Sequence, residues 1–344
     1  SISSSLRLRW FYCLLPTLFQ ESLQEAAYSR KEGKTMAKEG KLHSKKKNER
    51  RFMIGLYIIM TLIMLITLYP MWYSVINSLN SASDLSKNGY AYLLPREFTL
   101  ESWKAVVKDG EIVRAFGITS SRTILVTFFQ TLITAMFAYG FSRNNLIGKK
   151  FYTLLGFTSM YLSGGVIAYF ILFNYLKLYN SYWVYIIPNL FGGFYNVIIF
   201  TANFKGIPDS LFESARIDGS SEYRVFFKIV LPLSKPVLSA LGIFTAVGIW
   251  NDYTATLYYT RSPKLQTLSY YLLSVTKSSK AAEELQKSMD VGTAANIRNV
   301  VSSASNYKTI ELACMVFAAL PLIIIYPFLQ KFFEKGVMVG SVKG

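Results

Sequence analysis

Residues 52–73 read FMIGLYIIMTLIMLITLYPMWY. These 22 residues hold no charged side chain. A helix rises about 1.5 Å per residue, so the stretch covers a hydrocarbon core of about 30 Å. Lipid offers the backbone no hydrogen-bond partner, so the segment must close its own bonds as a helix. A barrel strand would instead alternate polar and apolar residues over about ten positions.

Five further blocks repeat the pattern, at 118–141, 151–176, 183–204, 236–259 and 310–333, the fifth interrupted by Asp252. The expected fold is an all-α polytopic membrane protein with six transmembrane helices. Trp72, Tyr73, Tyr182 and Trp183 gather near span ends, as an interfacial belt requires. Composition agrees. The chain of 344 residues is 52% hydrophobic and only 17% charged, against about 25% charged in soluble domains, which argues against a water-soluble enzyme. Two cysteines make no disulfide framework and cannot complete a four-cysteine zinc site. The single histidine, His43, lies in a lysine-rich stretch. No catalytic residue and no metal ligand is therefore expected.

Positive charge sets the orientation. Lys45, Lys46, Lys47, Arg50 and Arg51 precede the first span; Arg143, Lys149 and Lys150 lie between the second and third; Lys331, Lys335 and Lys343 follow the sixth. All fall inside if both termini are cytoplasmic. The connection 74–115 has five acidic and five basic residues, with no positive bias, as an outside loop should. The loop 260–309 carries seven basic and three acidic residues and is placed outside by the parity of six spans. The net charge of +17 is gathered at span ends, which suits anionic membrane lipid and gives no reason for a nucleic-acid partner. The expected location is the bacterial cytoplasmic membrane, multi-pass.

Residues 1–35 are read apart from the fold. Arg7 and Arg9 before Trp10 to Leu15 resemble a short signal-peptide core, too short to span. Met36 opens a plausible bacterial start, and codons for Lys31-Glu32-Gly33 can carry a ribosome-binding sequence, so 1–35 reads as a translated leader or disordered extension. Gly33-Lys34-Thr35 mimics the end of a phosphate loop, but Tyr28 stands where its first glycine belongs. The expected organisation is a basic cytoplasmic segment 36–51, a membrane domain 52–334 and a cytoplasmic tail 335–344.

The most specific signal is the cytoplasmic loop 205–235. Ser210 and Glu213 have the spacing of a capping box, so a helix is expected to start there. Pro208 suits its entry. Asp218-Gly219 is a turn signal, with Gly219 able to take positive φ as a helix ends. Ser220 or Ser221 can cap a second helix whose apolar face is Phe226, Phe227, Ile229, Val230 and Leu231, ended by Pro232 and Pro236. Two short amphipathic helices standing off a membrane suit a docking knob, with Glu213, Arg216 and Asp218 as a polar rim.

Here the chain resembles a family. Glu213-Ser214-Ala215, Asp218-Gly219 and Ile229-Val230-Leu231-Pro232 with Pro236 are similar in order and spacing to the EAA loop of bacterial ABC-importer permeases. Ser214 departs from the family's usual alanine; both are small. Asp218 before Gly219, and Trp250-Asn251-Asp252-Tyr253, resemble the carbohydrate branch. The end, from Gln330 to Gly344, resembles a maltose-type second permease, and Ser163-Gly164-Gly165-Val166-Ile167 resembles a complex-oligosaccharide subgroup. The resemblance implies a transmembrane permease subunit importing an oligosaccharide by alternating access. It implies a second homologous permease, two cytoplasmic ATPase subunits docked on 209–232, and an extracytoplasmic solute-binding protein. No cofactor is then bound directly, since ATP sits on the partner. Glu213, Ser214, Ala215, Asp218, Gly219, Ile229, Leu231 and Pro232 are the expected coupling residues.

Polar residues in the spans are candidates for the substrate pathway. A mid-membrane charge costs roughly 2.5–3.5 kcal/mol on insertion scales, which makes Asp252 a candidate by default. Its other reading is a carboxylate that caps the span or fixes a neighbouring helix. Asn251 can pair with hydroxyls, and Trp250 and Tyr253 can stack on a sugar face or simply pack. Asn189 and Asn196 lie seven apart, on one face if the span is one helix, and suit either the pathway or helix–helix bonding. Gly164-Gly165 and Gly192-Gly193 permit close helix contact or local unwinding, with packing the expected role. Within 278–306, residues 281–287 suggest a short helix that either touches the binding protein or is solvated.

Two other classes are weighed. A secondary transporter needs mid-membrane charges for ion coupling, and none is noted apart from Asp252. A membrane enzyme needs a reactive constellation, and no intramembrane histidine or carboxylate pair is present.

Overall fold

The computed structural model describes residues 49–143, 146–288 and 305–327. The chain divides into two units, 1–70 and 71–344. In the first, residues 49–70 belong to α1 (Glu49–Ser78). Its apolar side chains from Phe52 to Tyr69 are exposed, as a lipid-facing helix requires. The Thr67 hydroxyl donates back to the Ile63 and Met64 carbonyls, at 2.9 and 3.0 Å, so it is satisfied within the helix.

The second unit carries the remaining helices. Two short ones come after the end of α1: α2 (Ala82–Asn88) and α3 (Glu101–Lys108). A long helix, α4 (Gly110–Ser142), starts where the Asp109 carboxylate accepts from the Glu111 N–H at 2.8 Å. Then come α5 (Lys149–Tyr161), α6 (Gly165–Tyr175), α7 (Gly193–Lys205) and α8 (Asp209–Ile217). The next segment is compound: α9 (Glu222–Val225), a π turn (Phe226–Val230) and α10 (Leu231–Leu233). The chain continues through α11 (Lys235–Asn251), α12 (Thr254–Tyr259), α13 (Leu268–Ser288) and α14 (Ser305–Pro327). Among the described residues the only β pairing is an isolated bridge between Asn80 and Phe98.

The 33 residues of α4 make it the central post, packed against α7, α11 and α13. Its lower half, with Ala135, Ala138, Tyr139 and Phe141, joins Val197, Phe200 and Phe204 of α7 in one core that continues under α8 and the π turn through Phe212, Ala215, Val225, Phe226 and Val230. Nearer its start, Ile112 meets Trp250, Leu268, Ala313 and Cys314.

Three helices, α1, α4 and α14, are long and apolar enough to cross a membrane alone. Three more crossings are possible only as bent pairs, at 112° between α5 and α6, 46° between Tyr182–Asn189 and α7, and 82° between Glu222–Leu233 and α11. The expectation of one unbroken helix over 151–176 and over 183–204 is therefore corrected. Gly165 and Gly193 take φ of +67° and +75°, which L side chains avoid and a helix cannot use. Local unwinding, not close packing alone, is the role of both glycine pairs. The expectation over 236–259 is corrected too: α11 ends at Asn251, and Asp252 is extended at φ −72°, ψ 115°. The helix expected at 281–287 is the end of the 21-residue α13. The readings of residues 1–48, of 289–304 and of the tail from Phe328 to Gly344 lie outside the described residues.

Candidate functional site

The loop below the core is built as two helices meeting at a tight turn. The expected capping box of Ser210 and Glu213 is not what starts α8. Pro208 holds the N-cap with no side-chain bond, and the helix begins at Asp209. Pro208 sets the entry by its fixed φ, and Glu213 is left exposed. The far end matches expectation. Gly219 takes φ +67°, its N–H donates to the Arg216 carbonyl at 3.0 Å, and the Ser220 N–H donates to Ala215 at 2.9 Å. That double closure is a Schellman turn. Ser221 caps α9 by accepting from the Arg224 N–H at 3.4 Å.

Burial sorts the predicted coupling residues. Glu213, Ser214, Asp218, Gly219 and Pro232 are exposed. Ala215 is buried in the core, and Ile229 and Leu231 are half-buried against it. One face of the loop is thus nailed to α4 and α7 while the other is free.

A polar relay missed in the sequence ties this loop to α4. The Tyr139 hydroxyl donates to Glu222 Oε2 at 2.5 Å and accepts from Arg143 Nη2 at 2.7 Å. The Arg143 guanidinium lies 3.7 Å from the Phe212 ring centroid and 4.5 Å from that of Tyr139. Arg216 reaches the other Glu222 oxygen at 3.3 Å. Residues of α4, α8 and α9 are therefore joined by side chains as well as by apolar packing. The available signal was Tyr139 and Arg143 at i, i+4, one face at the end of an apolar run.

The pathway candidates do not come together. Trp250 is buried, its indole donating to the Ala318 carbonyl at 3.2 Å and its ring edge-on to Phe116 at 5.8 Å. It packs helices here, the second of its two readings. Asn251 and Tyr253 are exposed. The shared helical face expected for Asn189 and Asn196 is also corrected. Asn189 closes a 3-10 turn and bonds Tyr185, whereas Asn196 lies beyond the break in α7.

Asp252 is committed to structure. One carboxylate oxygen accepts from the Thr254 and Ala255 N–H groups, at 2.9 and 3.4 Å, and caps α12. The other faces Arg122 Nη1 at 3.4 Å. Arg122 is 1% exposed, donates to the Ile249 and Asp252 carbonyls, and sits 5.1 Å from the Tyr185 ring. The expectation that the spans lack charge apart from Asp252 is thus corrected: Arg122 lies within the second span. The pair answers itself, carboxylate to guanidinium, and leaves neither charge alone for ion coupling.

Broken spans around one long helix, with a two-helix loop keyed to its end, define a helical membrane permease. A family model described as "Binding-protein-dependent transport system inner membrane component" matches residues 130–339. Protein LplC of Bacillus subtilis (strain 168) is 35% identical over 279 residues, 81% of this chain and 90% of that one. The polygalacturonan/rhamnogalacturonan transport system permease protein YtcP of the same organism is 31% identical over 295 residues, 86% and 99% of the two chains. A solved bacterial ABC transporter involved in the import of the acidic polysaccharide alginate shares the fold, with a TM-score of 0.72 at 23% identity over 83% of this chain and 98% of that one. The chain belongs to the binding-protein-dependent transport system inner membrane components. It is a permease subunit of an ABC importer in the bacterial cell membrane.

Proposed function

We propose that this permease carries an oligosaccharide and that the loop at 209–232 receives the stroke of a separate cytoplasmic ATPase. One observation carries the reading. The loop is a two-helix elbow whose outer face, with Glu213, Ser214 and Asp218, is bare while its inner face is packed into the core through Phe212, Ala215, Phe226 and Val230. Such a part moves with the spans or not at all. Moving a transport equilibrium from 1:99 to 99:1 requires about 5.5 kcal/mol of differential binding, which a loose loop would dissipate.

In this reading both termini are cytoplasmic, and six crossings alternate between inward- and outward-open states. A second permease of the same kind completes the pathway. Two ATPase subunits sit below, bind the ATP and supply all hydrolysis, and an extracytoplasmic binding protein delivers sugar. The sugar class is supported by YtcP, named for polygalacturonan and rhamnogalacturonan, and by relatives at 27–28% identity named for arabinooligosaccharides and galactooligosaccharides. Exposed Asn251 and Tyr253 offer an amide and a ring to sugar hydroxyls and faces.

Purification from native membranes tests the coupling. The tagged permease is expected to bring down an ATPase. Glu213→Lys is expected to keep expression and fold but to lose uptake of labelled oligosaccharide. Full uptake by Glu213→Lys, or a permease that purifies with no ATPase, would refute the reading.

A further inference from the structure

The last residues of α1 and the segment that follows bury a polar network. Asn77, Ser78 and Asn80 are fully buried and Asp84 is 3% exposed. Their polar atoms are bonded to one another and to the chain. Asn77 both donates to and accepts from the Ala91 backbone, each at 2.8 Å. Asn80 accepts from the Arg96 and Glu97 N–H groups and donates to Asp84 at 2.8 Å, and Arg96 Nε closes on the same carboxylate at 2.8 Å. Ile76, Leu85 and Ala91 are buried with them, but a run of larger apolar residues points the other way. Leu93 is 74% exposed, and Tyr92, Leu94 and Phe98 are nearly as bare. Buried polar groups beneath a bare apolar face are the reverse of a water-facing surface, and such a patch marks an interaction site.

We propose that residues 90–100 and α3 form a preorganised pad that rests in the membrane interface. Acyl chains would meet Tyr92, Leu93, Leu94 and Phe98, and anionic headgroups would meet Lys104 and Lys108. Three observations select lipid. The pad is tied to an interfacial aromatic: the Trp72 indole donates to the Leu93 carbonyl at 3.2 Å, so the loop lies at the level of that belt residue. Its barest side chains, at 93 and 94, are aliphatic, and Tyr92 sets a hydroxyl beside them as an aromatic at a membrane interface does. Beside it, α3 presents an apolar groove of about 550 Å³ lined by Leu100, Trp103 and Val107 and rimmed by Lys104 and Lys108. Apolar face below and lysines above is the arrangement of an interfacial helix on anionic lipid. The network of Asn77, Asn80, Asp84 and Arg96 holds the pad in shape beforehand, so little ordering cost falls on binding.

Spin labels on the full permease in nanodiscs of phosphatidylcholine and phosphatidylglycerol test this. Labels are placed at Leu93→Cys, Leu94→Cys and, as a water-facing control, Lys87→Cys, in a Cys13→Ser, Cys314→Ala background. At 93 and 94, collisions with oxygen are expected to exceed those with a soluble nickel chelate several-fold; at 87 the order reverses. Adding Lys104→Glu and Lys108→Glu is expected to move the label at 93 outward when phosphatidylglycerol is present and not in its absence. Nickel access at 93 equal to that at 87 overturns the proposal. So does shielding that arises only when a binding protein or second permease is added, which would make the pad a protein surface.

Discussion

Arg122 shows how one side chain can fix the geometry of several helices. A buried guanidinium is tolerable only when its charge is met. Here the Asp252 carboxylate, two backbone carbonyls and the Tyr185 ring meet it at the place where α11 stops. Removing the guanidinium removes the whole node. Arg122→Ala is expected to lower stability by about 3–5 kcal/mol, seen as a fall in the unfolding temperature in detergent. Asp252→Asn is expected to cost less, because the carbonyls still accept from Arg122. Equal losses would move the node's weight onto the carboxylate. Asp84 gives a pH-dependent counterpart outside the spans. Hydrogen bonds from Asn88 and Asn80, then Arg96, hold its carboxyl at about 2, below the ordinary value of 3.8. Its stabilisation is complete above the unfolded value and is lost as pH falls through about 2. Amide protection over 77–99, relative to the unstructured chain at the same pH, is expected to fall as pH drops between those two values. Asp84→Asn should flatten that dependence. Both residues show why sequence reading stops where it does. Asp252 stood out as a charge in apolar surroundings, but its partner lies 130 positions away, and only the fold brings them together.

At the scale of the helix, the loop was legible because its signals are local. A proline entry, Asp218-Gly219 and a serine cap act within a few residues, and each sits where the spacing put it. The capping box failed because Pro208 holds the N-cap and starts the helix two residues sooner. The broken spans were not legible, since paired glycines serve close packing and unwinding alike, and hydropathy is blind to φ. The relay between α4 and the loop gives the element-scale test. Tyr139→Phe or Glu222→Gln is expected to leave the assembled importer intact and to lower solute moved per ATP hydrolysed several-fold. Arg216→Ala, at the exposed edge, should change little. Equal transport ratios in all three would show that apolar packing alone carries the stroke. Helix contact gives a stability test as well. A Cβ at Gly156 would lie 2.3 Å from Phe194 Cδ2, so α5 and α7 touch there without side-chain clearance. Gly156→Val is expected to cost about 1–3 kcal/mol by overpacking. Phe194→Leu in the same chain should restore part of it, read by thermal unfolding.

Across the whole molecule, α4 is the shared post. Its first half holds Arg122 and the cluster around Trp250, and its last turns hold Tyr139 and Arg143 over the loop. Force applied to the loop therefore enters the helix that also grips the end of α11. Family and membrane character were legible from apolar blocks and one loop, because the blocks recur along the chain and the loop's signals are local. Which residues meet a sugar was not, because Trp250 turned out to be spent on packing.

One local irregularity has a wider meaning. In the π turn the Leu231 N–H reaches back five residues to Phe226, which fits one surplus residue into the helix ahead of Pro232. Excising a single position, such as Lys228, would heal the coil to ordinary pitch and rotate the helix before it by about a quarter-turn relative to the helix after it. The loop would still fold, yet it would turn a different flank outward. The surplus residue thus acts as a phase setting, and losing it would leave a sound gear cut to the wrong tooth.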